Sequence, residues 1–310
     1  MTSPPDTLWA LLLTNRLTQV DAKPYSAVEF WKLLSRLGDE LGHPVESAED
    51  VVSGASLSEA DASRVRTLLD AGRAFGFERE RLEESGLRVV SALDEHFPVR
   101  LRERLGRNCP PFLIVAGDLD RLSQGGLGVA GSRNASEESL TATRGAAIAA
   151  VERGWTVVTG LARGVDQVAS DAALAAGGAA VGIPAEGIHV VSRRSHVRRA
   201  VHSGALTVAS PYGPNARFTA GTAMGRNKII YALSTAAFVA SADEDSGGTW
   251  AGAVENLKRG WCPVGVWTGS GAREGNEALV AKGAHPITDV AELFDMPAAD
   301  VTESSQTTLF

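Results

Sequence analysis

The sequence has few cysteines and no long apolar run, and both shortages exclude whole classes of protein. Cys109 and Cys262 are the two cysteines among 310 residues, and neither cysteine belongs to a CxxC pair. Six scattered histidines show no zinc-ligand spacing, so we expect two reduced thiols, no metal and no cofactor. No apolar run approaches the roughly 18 residues that span a bilayer. Residues 1–7 lack a basic segment, so we expect a cytoplasmic chain without a membrane span or signal peptide.

The chain also lacks an excess of positive charge. The formal net charge is −7, whereas proteins that coat nucleic acid without sequence preference are usually basic. If the ligand is nucleic acid, the positive charge must therefore be concentrated locally. Hydrophobic residues make up 44% of the chain, which is enough for a proper core. The length suits one α/β domain of about 200 residues together with a smaller domain.

Three segments differ in their patterning. Residues 1–85 are predicted to form a small helical domain, because apolar residues recur there at helical spacing. In residues 86–295, runs of small and β-branched residues alternate with helical stretches. This alternation is typical of an α/β fold with a doubly wound, mostly parallel, Rossmann-like sheet covered on both faces. Residues 296–310 are polar and are predicted to form a flexible tail.

The predicted sheet has eight strands. They are residues 87–90, 112–115, 127–130, 156–159, 180–183, 206–209, 237–240 and 264–267. Ligands of doubly wound sheets bind where such strands end, at their carboxyl edge. We therefore searched those positions for residues that carry chemistry.

Three glycine-bearing turns follow predicted strands and lead into predicted helices. Glycine lets the backbone approach a ligand closely, and a helix N-terminus presents free N–H groups to an anion. A single turn of this kind often serves only packing, but three turns in one sheet, two of them with arginine, favour phosphate binding. The residues that we assign to phosphate binding are Gly131, Ser132, Arg133, Gly160, Arg163, Gly164, Ser246, Gly247, Gly248 and Thr249. The turns contain no Gly-Lys-Ser/Thr and no G-x-G-x-x-G after residue 130, which disfavours a P-loop and a dinucleotide site.

Two further stretches are basic. Arg226-Asn227-Lys228 is predicted to head a helix, where the helix dipole disfavours cations, so a nearby anion would explain these residues. The second stretch places four arginines within seven residues: Arg193, Arg194, Arg198 and Arg199. This stretch is either a solvated helix face or part of a phosphate groove, because arginine forks match phosphate oxygens.

These motifs together resemble the DNA-processing protein A (DprA, or Smf) family. The segments that carry the resemblance are Asp94-Glu95-His96-Phe97-Pro98, Pro110-Pro111-Phe112-Leu113, Gly131-Ser132-Arg133, residues 159–166, residues 226–230 and Ser246-Gly247. Their order and spacing are also similar to those of the family. The resemblance covers about residues 87–289 and extends more loosely to the helical N-terminus.

The resemblance implies a non-enzymatic protein that binds single-stranded DNA in DNA processing or recombination. It also implies that Arg133 and the four-arginine stretch contact DNA phosphates, and that a RecA-type recombinase is a partner. The sequence departs from the family at Ser170, where histidine is usual, and at Val266-Trp267, where Pro-Gly is usual. Because the predicted sheet ends near residue 290, we expect no C-terminal winged helix of the kind that is common in the family. Transformation, DNA repair, mobile-element biology and phage defence all remain open, as does a homodimer.

A nucleotide sensor or a nucleotide hydrolase of the same Rossmann-like group is the alternative. Asp166 and Glu255 would then be an acid–base pair. Glu255 stands six positions after Thr249, whereas the phosphoribohydrolase pattern needs a glutamate three positions after the threonine. A structural role for Asp166, orienting its loop or capping the next helix, is the simpler interpretation.

The C-terminal end has a motif of its own. Gln306, Leu309 and Phe310 form a Gln-x-x-Leu-Phe pattern that resembles the peptide with which bacterial DNA-handling proteins bind the sliding clamp. Leu309 and Phe310 would fill an apolar pocket, and Gln306 would hydrogen-bond at its rim. Thr307 makes the match imperfect, and an inert tail is the alternative.

Overall fold

The structure is a computed structural model, and it describes residues 7–14, 16–38, 45 and 47–297. The N-terminal helices are α1 (Leu8–Leu13), α2 (Ala27–Leu37), α3 (Ala48–Gly54), α4 (Glu59–Leu69) and α5 (Gly72–Glu84). The remaining helices are α6 (Val99–Leu105), α7 (Arg121–Gln124), α8 (Glu137–Glu152), α9 (Val165–Ala175), α10 (Ile188–Ser192), α11 (Ser195–His202), α12 (Ala220–Leu233), α13 (Gly247–Arg259) and α14 (Glu274–Ala281). The strands are β1 (Leu87–Ser91), β2 (Phe112–Ala116), β3 (Leu127–Gly131), β4 (Val157–Thr159), β5 (Ala180–Gly182), β6 (Leu206–Ser210), β7 (Ala236–Ser241), β8 (Val264–Trp267) and β9 (His285–Ile287). Short 3₁₀ turns cover Gly106–Asn108 and Val290–Phe294.

The nine strands form one mostly parallel sheet. Their order is β1-β2-β6-β5-β4-β3-β7-β8-β9. The pairs β1–β2 and β2–β6 are antiparallel, and every other neighbouring pair is parallel. The predicted α/β class is therefore confirmed, and each of the eight predicted strands lies within one residue of its observed bounds. The sequence missed β9, a three-residue edge strand that contains Pro286, and proline is tolerated at sheet edges.

The N-terminal helices pack onto the sheet through a shared core. The Ser26 hydroxyl and the Glu29 carboxylate form a reciprocal capping box that begins α2. This helix buries Phe30 and Trp31, and the Trp31 indole N–H donates to the Cys109 carbonyl oxygen at 2.7 Å. One apolar cluster combines α1, α2 and α4 side chains with side chains of the sheet, among them Leu113. The domain boundary after residue 85 stays a prediction.

The sheet changes its winding direction at β3. The chain continues from β3 to β4 on one side and later reaches β7 on the other side. In doubly wound sheets, the crevice at such a switch point is where ligands bind. The turns after β3 and β7 are linked there, because the Arg273 guanidinium contacts both the Asp243 carboxylate and the Asn134 carbonyl oxygen.

Two features of the termini concern the sequence predictions. No helix in the part of the chain that the structure describes is both long and apolar enough to cross a bilayer. Most of the predicted flexible tail, residues 298–310, lies outside the described residues. Gln306, Leu309 and Phe310 lie there too, so the clamp-binding motif stays a prediction.

Candidate nucleic-acid interface

Arg226 occupies the middle of α12, which corrects the sequence prediction that it heads a helix. Thr219 caps α12, so the helix begins at Ala220, six residues before Arg226. The missed cap is the reason for the error, since the apolar period becomes clear only near Ile229. Arg226 is 9% exposed, and its Nη1 atom lies 3.3 Å from the Asp166 Oδ2 atom. The Arg226 Nε group has no hydrogen-bond acceptor among the described residues.

Asp166 joins Arg226 to the turn after β4. Its Oδ2 atom accepts hydrogen bonds from the backbone N–H groups of Gly160 at 3.1 Å and Ala162 at 3.5 Å. Burial raises the pKa of the Asp166 carboxyl, and the Arg226 guanidinium and the two N–H groups oppose that rise. Asp166 therefore fixes the conformation of its own loop and holds the Arg226 guanidinium.

Glycine is required at two positions of this loop. A Cβ atom added to Gly160 would lie 1.3 Å from the Arg226 Nη1 atom, so a side chain there would displace the guanidinium. Gly164 has a φ of +81°, and an added Cβ would lie 2.7 Å from the Ser132 carbonyl oxygen. The turns after β3 and β4 are thus in close contact, and Arg133 and Arg163 project from these neighbouring turns as exposed side chains.

A groove of about 400 Å³ lies between α9 and α11 at this edge of the sheet. We call it the basic groove and define it by the residues that line it. Its charged and polar lining consists of Arg133, Arg163, Arg194, Arg226, Gln167, Ser170, Asp171, Glu186 and His196. The rest of its lining consists of Gly160, Leu161, Ala162, Leu174, Ala185, Val197, Ala200, Leu206 and Phe218. The groove thus combines four arginines with an apolar wall.

An aromatic ring stands beside one of these arginines. Phe218 is 46% exposed, and the Arg133 guanidinium carbon lies 5.1 Å from the centre of its ring. The distance is within the range of cation–π attraction. This contact holds a flat apolar surface next to a cation, which is the combination that single-stranded nucleic acids contact with base and phosphate.

The four-arginine stretch divides into two kinds of side chain. Arg194 is already engaged, because it donates to the Leu161 carbonyl oxygen at 2.8 Å and to the Glu186 carboxylate at 3.0 Å. Arg193, Arg198 and Arg199 are exposed, and within the described ranges none of them forms an ion pair. Val197 is the buried side chain of α11, whereas Arg198 and Arg199 of the same helix are exposed.

Several predicted site residues lie outside the basic groove. Lys228 pairs with Glu255 at 2.8 Å, and the Asn227 amide donates to the Gly248 carbonyl oxygen at 2.8 Å. Asp166 and Glu255 are therefore held by different cations and are not joined to each other. The turn formed by Ser246, Gly247, Gly248 and Thr249 begins α13 without lining the groove. Gly131 ends β3, and Ser132 and Gly164 belong to the turns after β3 and β4; these three residues do not line the groove themselves.

The α9 side chains and Phe218 line the groove but are not among the residues predicted from the sequence. Gln167, Ser170, Asp171 and Leu174 follow the i, i+3, i+4, i+7 spacing that places side chains on one face of a helix. That spacing directly after a glycine turn was a usable signal. Phe218 lies in an irregular loop, where no periodicity could assign it to the groove.

The groove contains no metal-binding arrangement among the residues that the structure describes. No group of three or more His, Cys, Asp or Glu side chains is placed to hold an ion in that part of the chain. Both cysteines are buried and free. Burial raises the pKa of the Cys262 thiol to about 12, which makes it a poor nucleophile at neutral pH.

The fold and the groove define a Rossmann-like α/β protein with a basic groove at its strand ends. The family model of DNA recombination-mediator protein A matches residues 88–297, which is more than half of the chain. The chain belongs to this family, known as DprA or Smf.

Known proteins and solved structures of this family are similar to different lengths of the chain. Protein Smf of Escherichia coli is 30% identical over 242 residues, 74% of this chain and 63% of Smf. DNA processing protein DprA of Bacillus subtilis is 26% identical over 53% of this chain and 55% of its own length. The chain thus spans less than two thirds of these relatives. The DprA structure from Streptococcus pneumoniae has the same fold, with a TM-score of 0.73 at 22% identity, covering 95% of this chain and 98% of that chain.

A second solved structure is DNA processing protein A from Helicobacter pylori. The two structures match with a TM-score of 0.56 at 20% identity. The match covers 67% of this chain and 94% of the Helicobacter chain. The Helicobacter protein has a single-stranded DNA binding mode. At this identity, the likeness shows a shared fold.

Proposed function

We propose that this chain is a non-enzymatic protein that binds single-stranded DNA in the basic groove. The observation that carries the proposal is the convergence of Arg133, Arg163 and Arg226 on one groove in a protein of net charge −7. Arginine guanidinium groups bind phosphate oxygens through paired hydrogen bonds. Family membership and the single-stranded DNA binding of the Helicobacter relative support the same ligand.

The lining favours a single strand over a duplex. Phe218 is exposed at the groove, and buried apolar side chains such as Leu161 and Val197 lie behind it. In a duplex, the base faces are stacked on each other and cannot contact such a surface, whereas unstacked bases can. A bound single strand would therefore contact the arginines with its phosphates and the apolar side chains with its bases.

The two carboxylates considered for catalysis are already engaged. Asp166 is paired with Arg226 beneath the groove, and Glu255 is paired with Lys228 away from it. A general base needs a free carboxylate within reach of the proton that it abstracts. This arrangement supports a binding role over nucleotide hydrolysis.

The partners and the pathway are proposed on the likeness to the family. A RecA-type recombinase would receive the bound strand, and a second copy of the chain would form a homodimer. The sliding clamp would bind Gln306, Leu309 and Phe310. The chain would act in DNA processing or recombination, in natural transformation, repair, mobile-element biology or phage defence.

Three ligands test the proposed function directly. Fluorescence anisotropy of the purified chain is measured with a labelled single-stranded 30-mer and with its duplex, and mononucleotides are assayed for released base or phosphate. We expect tighter binding of the single strand and no release. Equal or tighter duplex binding, or turnover of a mononucleotide, would contradict the proposal. The second result would favour the nucleotide hydrolase instead.

A further inference from the structure

We propose that the apolar wall of the basic groove, formed by Leu161, Ala185, Val197 and Leu206, receives a nucleobase, and that Asp171 on α9 makes this subsite prefer bases with an exocyclic amino group over thymine. The inference rests on the proposed function, because it concerns which part of a single strand enters the groove. It adds a base preference to the phosphate contacts.

The lining contains more apolar surface than a phosphate track requires. Leu161, Ala185, Val197 and Leu206 are each at most 9% exposed and all line the groove. A phosphate placed against these side chains would lose its hydration without gaining a hydrogen bond, which is costly. A nucleobase is flat and largely apolar on both faces, so it matches this wall. The volume of about 400 Å³ falls within the roughly 300–1,000 Å³ range of small-molecule sites.

The polar groups of the α9 wall select the edge of that base. Gln167 and Asp171 are exposed on the same face of α9 and both line the groove. Asp171 forms no hydrogen bond or ion pair with any residue that the structure describes, so its carboxylate is free to accept. The other carboxylate of the lining, Glu186, is occupied by Arg194 at 3.0 Å.

A free carboxylate distinguishes the bases by their donors. An aspartate accepts a hydrogen bond from the cytosine N4 amino group, and adenine and guanine also carry amino groups. Thymine has no amino group: it presents the O4 carbonyl oxygen at the equivalent position, and its one ring donor, N3–H, lies between two carbonyl oxygens that repel a carboxylate. The buried Arg226 with its unpaired Nε group and the exposed Arg133 supply positive charge at the same groove. Asp171 therefore sets the base preference while the arginines supply most of the affinity.

Oligo-dC and oligo-dT of equal length test this preference, because their bases have the same ring size and the backbones are identical. We expect the wild-type chain at pH 7.5 to bind oligo-dC about threefold to tenfold more tightly than oligo-dT, the effect of one hydrogen bond. Asp171→Asn should abolish or reverse the ratio, because the amide can donate to thymine O4. Glu152→Gln is the matched control, since Glu152 is exposed on α8 and does not line the groove. The control should raise both affinities alike and leave the ratio unchanged.

An abasic oligonucleotide of the same length separates base binding from phosphate binding. We expect it to bind more weakly than oligo-dC but to retain the salt dependence. Equal binding of the abasic and oligo-dC strands, or the same ratio of oligo-dC to oligo-dT affinity in Asp171→Asn and wild type, would overturn the inference and leave the proposed function intact. Failure of the wild type to bind any of the strands would overturn both.

Discussion

Arg226 and Asp166 form a buried ion pair that depends on the absence of a side chain at Gly160. The Arg226 guanidinium occupies the space next to Gly160, and Asp166 binds both the guanidinium and the Gly160 N–H group. A charge buried in this way is costly to leave without its partner. The pair therefore fixes the Gly160 turn that carries Arg163 into the groove.

Removal of Arg226 should destabilise the fold strongly. We expect Arg226→Ala to lower the free energy of unfolding by about 3–5 kcal/mol, because it leaves the Asp166 carboxylate buried without its cation. Urea unfolding followed by circular dichroism measures the change. Gly160→Ala should act in the same direction, since its Cβ atom would displace the guanidinium. An Arg226→Ala protein as stable as the wild type would show that the pair is not structural.

Arg133 should contribute affinity rather than stability. The side chain is exposed, and its guanidinium lies over the Phe218 ring. We expect Arg133→Ala to weaken single-stranded DNA binding by about 1.5–3 kcal/mol, the value of a charge-assisted contact, with unchanged unfolding. Arg107→Ala is the matched control, because Arg107 is also exposed but does not line the groove. Equal affinity of both variants would contradict the assignment of Arg133.

At the scale of elements, α6 fixes the C-terminal end of α12. Arg104 donates to the carbonyl oxygens of Ala232 at 3.0 Å and Ser234 at 2.6 Å, and Arg100 donates to that of Leu233 at 3.0 Å. These carbonyl groups carry the negative end of the helix dipole and have no partner within the helix. Two cations from α6 therefore hold the helix that carries Arg226.

Removal of one of these cations should loosen α12. We expect Arg104→Ala to lower the free energy of unfolding by about 1.5–3 kcal/mol, since two carbonyl groups lose a charged donor. Hydrogen exchange of the α12 amides should speed up in this variant. The matched control is again Arg107→Ala, which removes an exposed arginine that has no carbonyl partner among the described residues. Unchanged exchange in α12 would mean that water replaces Arg104 without cost.

The N-terminal cap of α2 should give the fold an acid-sensitive component. The pKa of Glu29 falls from 4.5 to about 2, chiefly because its carboxylate accepts a hydrogen bond from the Ser26 backbone N–H group, with help from Arg64. A carboxyl whose pKa is lower in the folded state stabilises the fold above pH 4.5, and the contribution is lost as the pH falls toward 2. Glu29→Gln keeps a capping side chain but removes the charge.

The expected result is a stability difference between wild type and Glu29→Gln that shrinks with acid. Urea midpoints measured at neutral pH and again below the unfolded-state pKa give the two differences. The wild type should be more stable at neutral pH, and the gap should narrow in acid. A gap that is independent of pH would show that Glu29 stabilises α2 without its charge.

For the molecule as a whole, the sequence predicted the strands of the sheet but only part of the groove, namely the turns that carry Arg133 and Arg163. The sheet was predictable because each buried strand is a continuous apolar run bounded by glycine or polar turns. The turns that carry Arg133 and Arg163 were predictable for the same reason. The engagement of Arg194 by Glu186 was not, because it depends on how the loop after β5 meets α11. Contacts between segments that are distant in the sequence produce no periodic pattern of residues from which they could be predicted.

The exposed arginines near the groove are further candidates for contact with DNA phosphates. Arg193, Arg198 and Arg199 have no ion-pair partner among the described residues, unlike Arg194. If each contacts one phosphate, replacing all three with alanine should lower the slope of log affinity against log salt by about 2, at about 0.7 per single-strand contact. An unchanged slope would make this stretch a solvated helix face.

The salt dependence of the double variant Arg133→Ala, Arg163→Ala tests whether DNA phosphates bind in the basic groove. Both exposed arginines line this groove, and neither forms an ion pair in the part of the chain that the structure describes. Affinity for a single-stranded oligonucleotide is measured at several salt concentrations for this variant and the wild type. We expect weaker binding and a slope lower by about 1.4, two contacts at about 0.7 each. A folded variant with the wild-type slope and affinity would contradict the claim that phosphates bind in this groove.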